Sequence, residues 1–352
     1  MNTRRHQERE TPRLGADPII FSSRQSSAVK NTPFPTTNRR RIRTERPKTR
    51  TRRIRNEEQD LSNTDLSRKT WNAYSCSPLH RFHHAESSLR RYSRLLSAVL
   101  IANSRKNIGV GVDEQLVGTS ANFKVVGGIA VLDDEPDAIK ITVISNSKKI
   151  ILEMYLCSVE AESLLDNDIP DQSEMAKQFR VLPLLLCKGN ISPMKVVFEW
   201  MKTEFDCSFR KIKFNPISLS WMFAMWAPIN TNKNTHLTWG IPYADIGIDK
   251  IDSELDGNSI ELLWKHVHDS SSGIVTSQEV SSFIAGIEEH LEKHTRIVFS
   301  SLPLMQVLTP IVQVHEDGKF KIMSPDHVYT ILSHMTSLAV EQLDCRIFQE
   351  FY

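Results

Sequence analysis

NFKVVGGIAVL (residues 122–132), AIKITVIS (138–145) and KIILEMYLCS (149–158) decide the fold class of this 352-residue chain. Each run is rich in Val, Ile and Phe, and Asp, Asn, Pro and Ser turns separate them, as in consecutive antiparallel strands. Strands that follow one another without intervening helices argue against a doubly wound sheet. They predict α+β: a mostly antiparallel sheet with packed helices.

The flanking segments supply the helices. Over residues 86–102, Leu89, Tyr92, Leu95, Leu96, Val99 and Leu100 recur at spacings of three and four, the mark of an amphipathic helix. Its outer face bears Arg90, Arg91 and Arg94, with Arg105 and Lys106 just beyond. That face is either an ordinary solvated surface or a positive patch for DNA. Residues 180–187 read as a strand. A helix then follows with Ser192 as cap, Pro193 in its first turn, and Val196, Val197, Trp200, Met201 and Phe205 on one face. Residues 207–214 alternate as a strand. SLSWMFAMWA (218–227) is apolar all round, which predicts a buried helix, the alternative being an exposed partner-binding stripe. Further on, 236–241, 245–251, 296–300 and 306–315 read as strands and 259–268 as a helix. Thr276-x-x-Glu279 is a capping box for a helix over 277–294. Asp317-Gly318 is a hairpin turn into 319–323, and Ser324-Pro325 opens a last helix to about residue 343. The expected organisation is an arm over 1–68, an N-terminal α+β portion over 69–230 and a C-terminal α+β portion over 231–352.

The net charge of +2 hides a split. Residues 1–60 carry 16 Lys+Arg against 7 Asp+Glu, while the other 292 carry 28 against 35. The arm's charge is concentrated in NRRRIRTERPKTRTRRIR (38–55), with ten basic residues, Arg39, Arg40, Arg41 and Arg43 among them, and one acid, Glu45. Repulsion at this density, Pro18, Pro33, Pro35 and Pro47, and few apolar groups predict disorder in the free chain. Such an arm serves nuclear import alone, or import together with contact to nucleic-acid phosphates. Phe21 and Phe34 are its aromatic residues, too few for a base-stacking platform.

Chemistry-bearing motifs are scarce. No phosphate loop, dinucleotide fingerprint or nucleophile elbow occurs. His290-Leu-Glu-Lys-His294 lacks the glutamate a zincin needs after its first histidine, and reads as complementing a helix dipole. Cys76, His80, His83 and His84 lack the second cysteine of a structural zinc site and read as a polar loop. Asp252 to Gly257 begins like a calcium loop, but its twelfth position is Leu263. Asp133, Asp134, Glu135 and Asp137 read as an exposed turn. Five scattered cysteines without a CxxC argue for reduced thiols in the nucleus or cytosol. The longest apolar stretches are far below the ~20 residues of a membrane span. The expectation is no enzyme, no cofactor, no metal, no membrane and no small-molecule substrate. The alternative is a nuclear nucleic-acid-processing or chromatin enzyme without a recognisable motif.

WNAYSCSPLHRF (71–82) followed by YSRLL (92–96), Phe205-Asp206-Cys207-x-Phe209, and LSWMFAMW (219–226) resemble the centromere protein L family. Val275-Thr276-x-x-Glu279-Val280 and Asp317-Gly318-Lys319-x-Lys321-Ile322 fit it as well, so the resemblance spans roughly residues 70–340. The resemblance implies a subunit of the constitutive inner-kinetochore network in the nucleus, at the centromere. It implies an extended, saddle-like sheet, and pairing with centromere protein N through C-terminal portions. It also implies contact with other network subunits, centromeric DNA and the specialised nucleosome. For the partner edge, the apolar hairpin over 306–323 (Val307, Leu308, Ile311, Val312, Val314, Ile322) is a candidate, the alternative being an internal pair of strands. Residues 345–352 read as an extension.

Overall fold

A computed structural model describes residues 63–106, 118–130, 135–160, 178–229, 233–242, 247–269 and 274–349, with the side chains of 105, 106 and 344–349 outside the description. Strands β1 (Thr70–Cys76) and β2 (Leu79–His80) lead into helix α1 (Glu86–Lys106). Then come β3 (Ser120–Val126), β4 (Ala138–Ile144), β5 (Ile150–Cys157), β6 (Phe179–Arg180), β7 (Leu184–Gly189), α2 (Ile191–Phe205), β8 (Phe209–Lys211) and α3 (Pro216–Trp226). The C-terminal portion adds β9 (Thr235–Gly240), β10 (Lys250–Leu255), α4 (Gly257–Val267), α5 (Ser277–Thr295), β11 (Leu304–Leu308), β12 (Val312–His315), β13 (Lys319–Ile322) and α6 (Val328–Gln349). The expected class, α+β with a large antiparallel sheet, is what forms.

Ten strands pair in the order β10-β9-β11-β12-β13-β1-β7-β5-β4-β3, with β8 alongside β1, and the strands of both portions enter the one sheet. Every ladder is antiparallel. At the β3 end, Ile139, Ile141, Val143, Met154, Leu156 and Leu185 face α1 and α2 in one core. On the opposite face, Trp71, Ala73, Tyr155, Leu186, Phe320 and Val314 join a second core with α3 to α6. The helices therefore cover one face at the N-terminal end of the sheet and the other face towards its C-terminal end.

The central strand is β1, which local pattern did not mark out. It pairs with β7 on one side, and with β13 and β8 placed end to end on the other. Trp71 anchors it: its ring is fully buried, meets Tyr155 edge-on at 5.4 Å, and its indole N–H donates to the Leu66 carbonyl at 2.9 Å. Leu66 lies in a helical turn at 63–66 and is itself buried, so the folded body begins earlier than residue 69. Residues 1–62, including Arg39, Arg40, Arg41 and Arg43, lie outside the described residues.

Several expected elements shift. Helix α2 is preceded by Asn190, not capped by Ser192. Residues 296–300 make no strand; a 3-10 turn, Phe299–Ser301, stands there. The run 306–315 is two strands, because Pro310 has no N–H for a ladder, and Thr309 turns the chain through its bond to Val312. β10 begins at Lys250, later than expected, and the aspartates before α4 serve it through Asp256, which accepts the Ser259 amide at 2.9 Å. The run 218–227 is buried as α3, with Phe223 stacked on Phe283 at 5.5 Å, which removes the exposed-stripe alternative. The capping box on α5 forms as read, and Val280, Phe283, Ile284, Ile287 and Leu291 are buried.

Two consequences are measurable. Gly318 holds φ +85°, and a Cβ there would lie 1.9 Å from the Ile212 carbonyl, where β8 abuts the β12–β13 turn. Gly318→Ala should cost about 2 kcal/mol or more in urea denaturation; a loss under about 0.5 would show that the junction relaxes freely. Burial alone would raise the Glu279 carboxyl, but bonds from the Asp269 and Thr276 amides, the Thr276 hydroxyl and His268 hold it below its ordinary 4.5. A depressed carboxylate contributes stability that is complete above the ordinary value and drains away as pH falls through the folded-state value. Glu279→Gln should therefore flatten the acid limb of a stability-against-pH curve below about pH 5, and an unchanged limb would remove Glu279 from that role.

Candidate interaction surfaces

The arginine helix is α1. Arg90, Arg91 and Arg94 are exposed on it, and Arg105 and Lys106 occupy its last turn. Two of the charges are already engaged. Arg90 pairs with Glu86 at 2.5 Å, and Arg91 reaches Glu204 of α2 at 3.8 Å. Both pairs are largely exposed and so contribute little stability, but they reduce the charge offered outward. Leu95 and Val99, 38% and 37% exposed, continue the same outer surface, so α1 presents a mixed face of arginine and aliphatic groups.

Helix α1 also closes one edge of the sheet. The β3 amides of Ala121 and Phe123 point away from β4 and donate to Ser97 Oγ at 2.8 Å and Ser93 Oγ at 2.9 Å. The two serines stand one turn apart, a rise of ~6 Å. Alternate amides along a strand are ~6.7 Å apart, so the spacings match. An edge with its donors satisfied by a helix is a poor template for a further strand.

The opposite edge, β10, has no such cover among the described residues. The Ile241 amide donates to the Asp249 carbonyl at 2.9 Å, which sets the alternation. Asp249, Ile251 and Ser253 turn their backbone groups to β9, while Lys250, Asp252 and Glu254 turn theirs outward. All three outward residues are charged and exposed, a common guard on an open edge.

The hairpin proposed as an edge is internal. β11 is flanked by β9 and β12, and β13 by β12 and β1, so neither strand has a free side. Val307, Ile311, Val312, Val314 and Ile322 are fully buried in the chain's own core. Leu308 is half-buried and shares the opposite face with Gln313 and His236, its partners in register. These strands alternate, with Val307, Val312, Val314, Phe320 and Ile322 buried and Gln306, Gln313, Lys319 and Lys321 on the other face. Apolarity reports which face is covered, not which flank is unpaired, and that is the physical reason the edge assignment fails here.

A further polar face was not foreseen. On the side of β3, β4 and β5 away from α1, the register places Lys124 beside Lys140 and Tyr155, and Asn122 beside Thr142, Glu153 and Lys188. Lys140 bridges Asp65 at 2.5 Å and Glu153 at 2.7 Å, and Lys69 contacts the same two acids. The Tyr155 hydroxyl donates to Asp65. Partial burial alone would raise the Asp65 carboxyl; the bonds from Lys140, Lys69 and Tyr155 reverse this and hold it well below the usual range. Burial likewise opposes charge on Lys140, and its two acids hold it above its ordinary value. The alternation Asn122, Lys124 and Lys140, Thr142 was visible in the sequence; Asp65, from the segment assigned to the arm, was not.

The remaining suggestive residues are accounted for locally. Cys76 is buried, its thiol pushed up by burial and by Cys207 and Cys187 beside it. His80 contacts Gln178, while His84 contacts Asp137 and receives the Arg180 Nε–H. Glu135, read as exposed, is buried and accepts the Glu160 amide and the Tyr329 hydroxyl, both at 3.0 Å. Among the described residues no group of three or more His, Cys, Asp or Glu could hold a metal ion. No described helix is long and apolar enough to cross a membrane.

Residues 65–343, which span the described sheet from the Asp65 turn to α6, match the family described as centromere protein L. The chain belongs to the centromere protein L family. Centromere protein L of Homo sapiens is 30% identical over 290 residues, 79% of this chain and 81% of that protein. The Bos taurus protein is 29% identical over 290 residues, 79% and 80% of the two chains. The Gallus gallus protein is 29% identical over 289 residues, again 79% and 80%. The matched span starts where Asp65 enters the polar network, so the whole described body, without the basic arm, is the shared unit.

The edge cover can be tested directly. Ser93→Ala with Ser97→Ala should cost about 1 kcal/mol for each lost bond. It should also speed hydrogen exchange at the Ala121 and Phe123 amides; unchanged exchange at both would mean that the hydroxyls do not protect this edge.

Proposed function

We propose that this protein is a non-enzymatic subunit of the inner-kinetochore network at the centromere, in the nucleus, which pairs with centromere protein N and contacts centromeric DNA and its nucleosome. The observation that carries this reading is the family match over residues 65–343. Features that support a scaffold are one sheet edge closed by a helix, one edge open among the described residues, and charged surfaces on the folded body.

Pairing through the C-terminal portion has a physical route at β10. A partner strand laid along Lys250, Asp252 and Glu254 would meet outward amides and carbonyls, and main-chain bonds supply affinity in such additions. The charged side chains deter promiscuous strands and favour a partner of complementary charge. DNA contact by the scaffold needs positive charge aimed at phosphates and no base readout.

Co-expression with centromere protein N and size-exclusion chromatography test the pairing, with a 1:1 complex expected. Asp252→Pro removes an outward amide that no described residue uses, together with the carboxylate that accepts the Thr238 hydroxyl at 2.6 Å. With Asp252→Ala as the control for that side-chain bond, the proline variant should stay folded and weaken the complex at least tenfold beyond the alanine variant. A complex of undiminished affinity would place the partner elsewhere, and failure of the native chains to co-purify would overturn the pairing.

A further inference from the structure

We infer that the open face of β3, β4 and β5, carrying Lys124 and Lys188, is where the folded body meets the DNA phosphate backbone. This deepens the DNA-contact reading proposed above and rests on it.

The face is built to present positive charge. Asn122, Lys124 and Lys188 are exposed on it, and the second core leaves it uncovered beyond Tyr155. A recess of about 390 Å³ opens there, lined by Asn122, Lys124, Lys140, Thr142, Tyr155 and Asp65, among others. The two acids of this face, Asp65 at the recess and Glu153 beside it on β5, are paired by Lys69 and Lys140. Lys124 and Lys188 then remain in excess, with no ion pair to either among the described residues. Lys148 and Lys149, both exposed, add charge at the β4–β5 turn. Lys124 also stands directly opposite Lys140 in the ladder. Like charges in that position are destabilising unless something offsets them. Lys140 has its acids; an anion over the recess would offset Lys124.

The occupant follows from what the face lacks. Protein partners are anchored by buried aromatic or aliphatic groups. Here the Tyr155 ring is itself buried, and Val126 is the one aliphatic group in the recess lining. The Asp65 carboxylate there is paired by Lys69 and Lys140, and the other lining groups are ammonium, amide and hydroxyl donors. Such donors suit phosphate oxygens, which need charge and hydrogen bonds but no apolar pocket. Chain continuity points the same way. Arg55, the end of the ten-cation run, lies eight residues before Asn63, and Asp65 lines the recess. Eight residues span at most ~28 Å, so a duplex held by the arm is delivered at high effective concentration to this face. Helix α1 lies on the other side of the sheet, with two of its arginines already paired.

The test uses the full chain in complex with centromere protein N and a mixed-sequence 30-base-pair duplex across a salt series. Lys124→Glu with Lys188→Glu should weaken binding about tenfold or more at moderate salt and lower the salt slope by about two, alike for unrelated sequences. The arginine pair K124R/K188R should restore binding, and R90E/R91E/R94E should leave it near wild type. If the wild-type complex does not bind DNA, the DNA-contact reading fails. If it binds and K124E/K188E, folded by its thermal transition, binds equally well, this face is wrong while DNA contact stands. If a polyglutamate peptide binds the wild type more tightly than the duplex, and K124E/K188E abolishes that binding, the occupant is an acidic protein segment and the DNA assignment is overturned.

Discussion

Strand β1 is hydrogen-bonded along both flanks, and the rest of the molecule depends on that. β7 holds one side over four residue pairs, while β13 and β8 share the other. Without β1 no backbone ladder joins the N-terminal strands β3, β4, β5 and β7 to the C-terminal strands. The second core, which draws Tyr155 and Leu186 from the first set and Val314 and Phe320 from the other, would then be split, and β7 and β13 would each present a raw edge. The Trp71 ring ties the strand to the Leu66 turn and, through Tyr155, to β5. Removing so large a buried side chain typically costs ~3–5 kcal/mol, a large fraction of a domain's net stability.

What was legible in the sequence was whatever repeats locally. The helices α1, α2, α3 and α5 announced themselves by three- and four-residue spacing or by uniform apolarity, and α5 by its capping box. The strands β3, β4 and β5 were legible because they follow one another in the chain and pair with their sequence neighbours. β1 was not, because Asn72, Ala73, Ser75 and Cys76 have little strand preference, and its partners lie more than a hundred residues away. Its strand character comes from tertiary pairing. The hairpin of β12 and β13 was recognised as a hairpin from Asp317-Gly318, yet its position in the sheet depends on β9 and β1, which no local signal reveals.

The candidate surfaces divide along the same line. Arginines on α1 are visible by helical spacing. The lysine face is not, because a sheet face is assembled from cross-strand neighbours: Lys124, Lys140 and Lys188 come from three strands, and the acids that neutralise their neighbours come from a fourth strand and from the Asp65 turn. Asp65 lies in the stretch that composition assigns to the arm, so the network at the root of the arm could not be read from charge density alone.

Coverage of the sheet by helices on alternate faces has a functional corollary. A sheet buried on one whole face offers partners a single exposed face and two edges. Here the cover changes sides at β1. One polar face is left at the β3 end, beside the entry of the basic arm, and another, with Lys319, Lys321, Gln313, Gln306 and His236, towards β10. The Ser93 and Ser97 hydroxyls block strand addition at β3, and β10 keeps its outward backbone groups. The two contacts proposed above, a charged ligand and a strand-adding partner, would then fall at opposite ends of one continuous ladder, so that neither has to displace the other, with β1 pairing the strands between them.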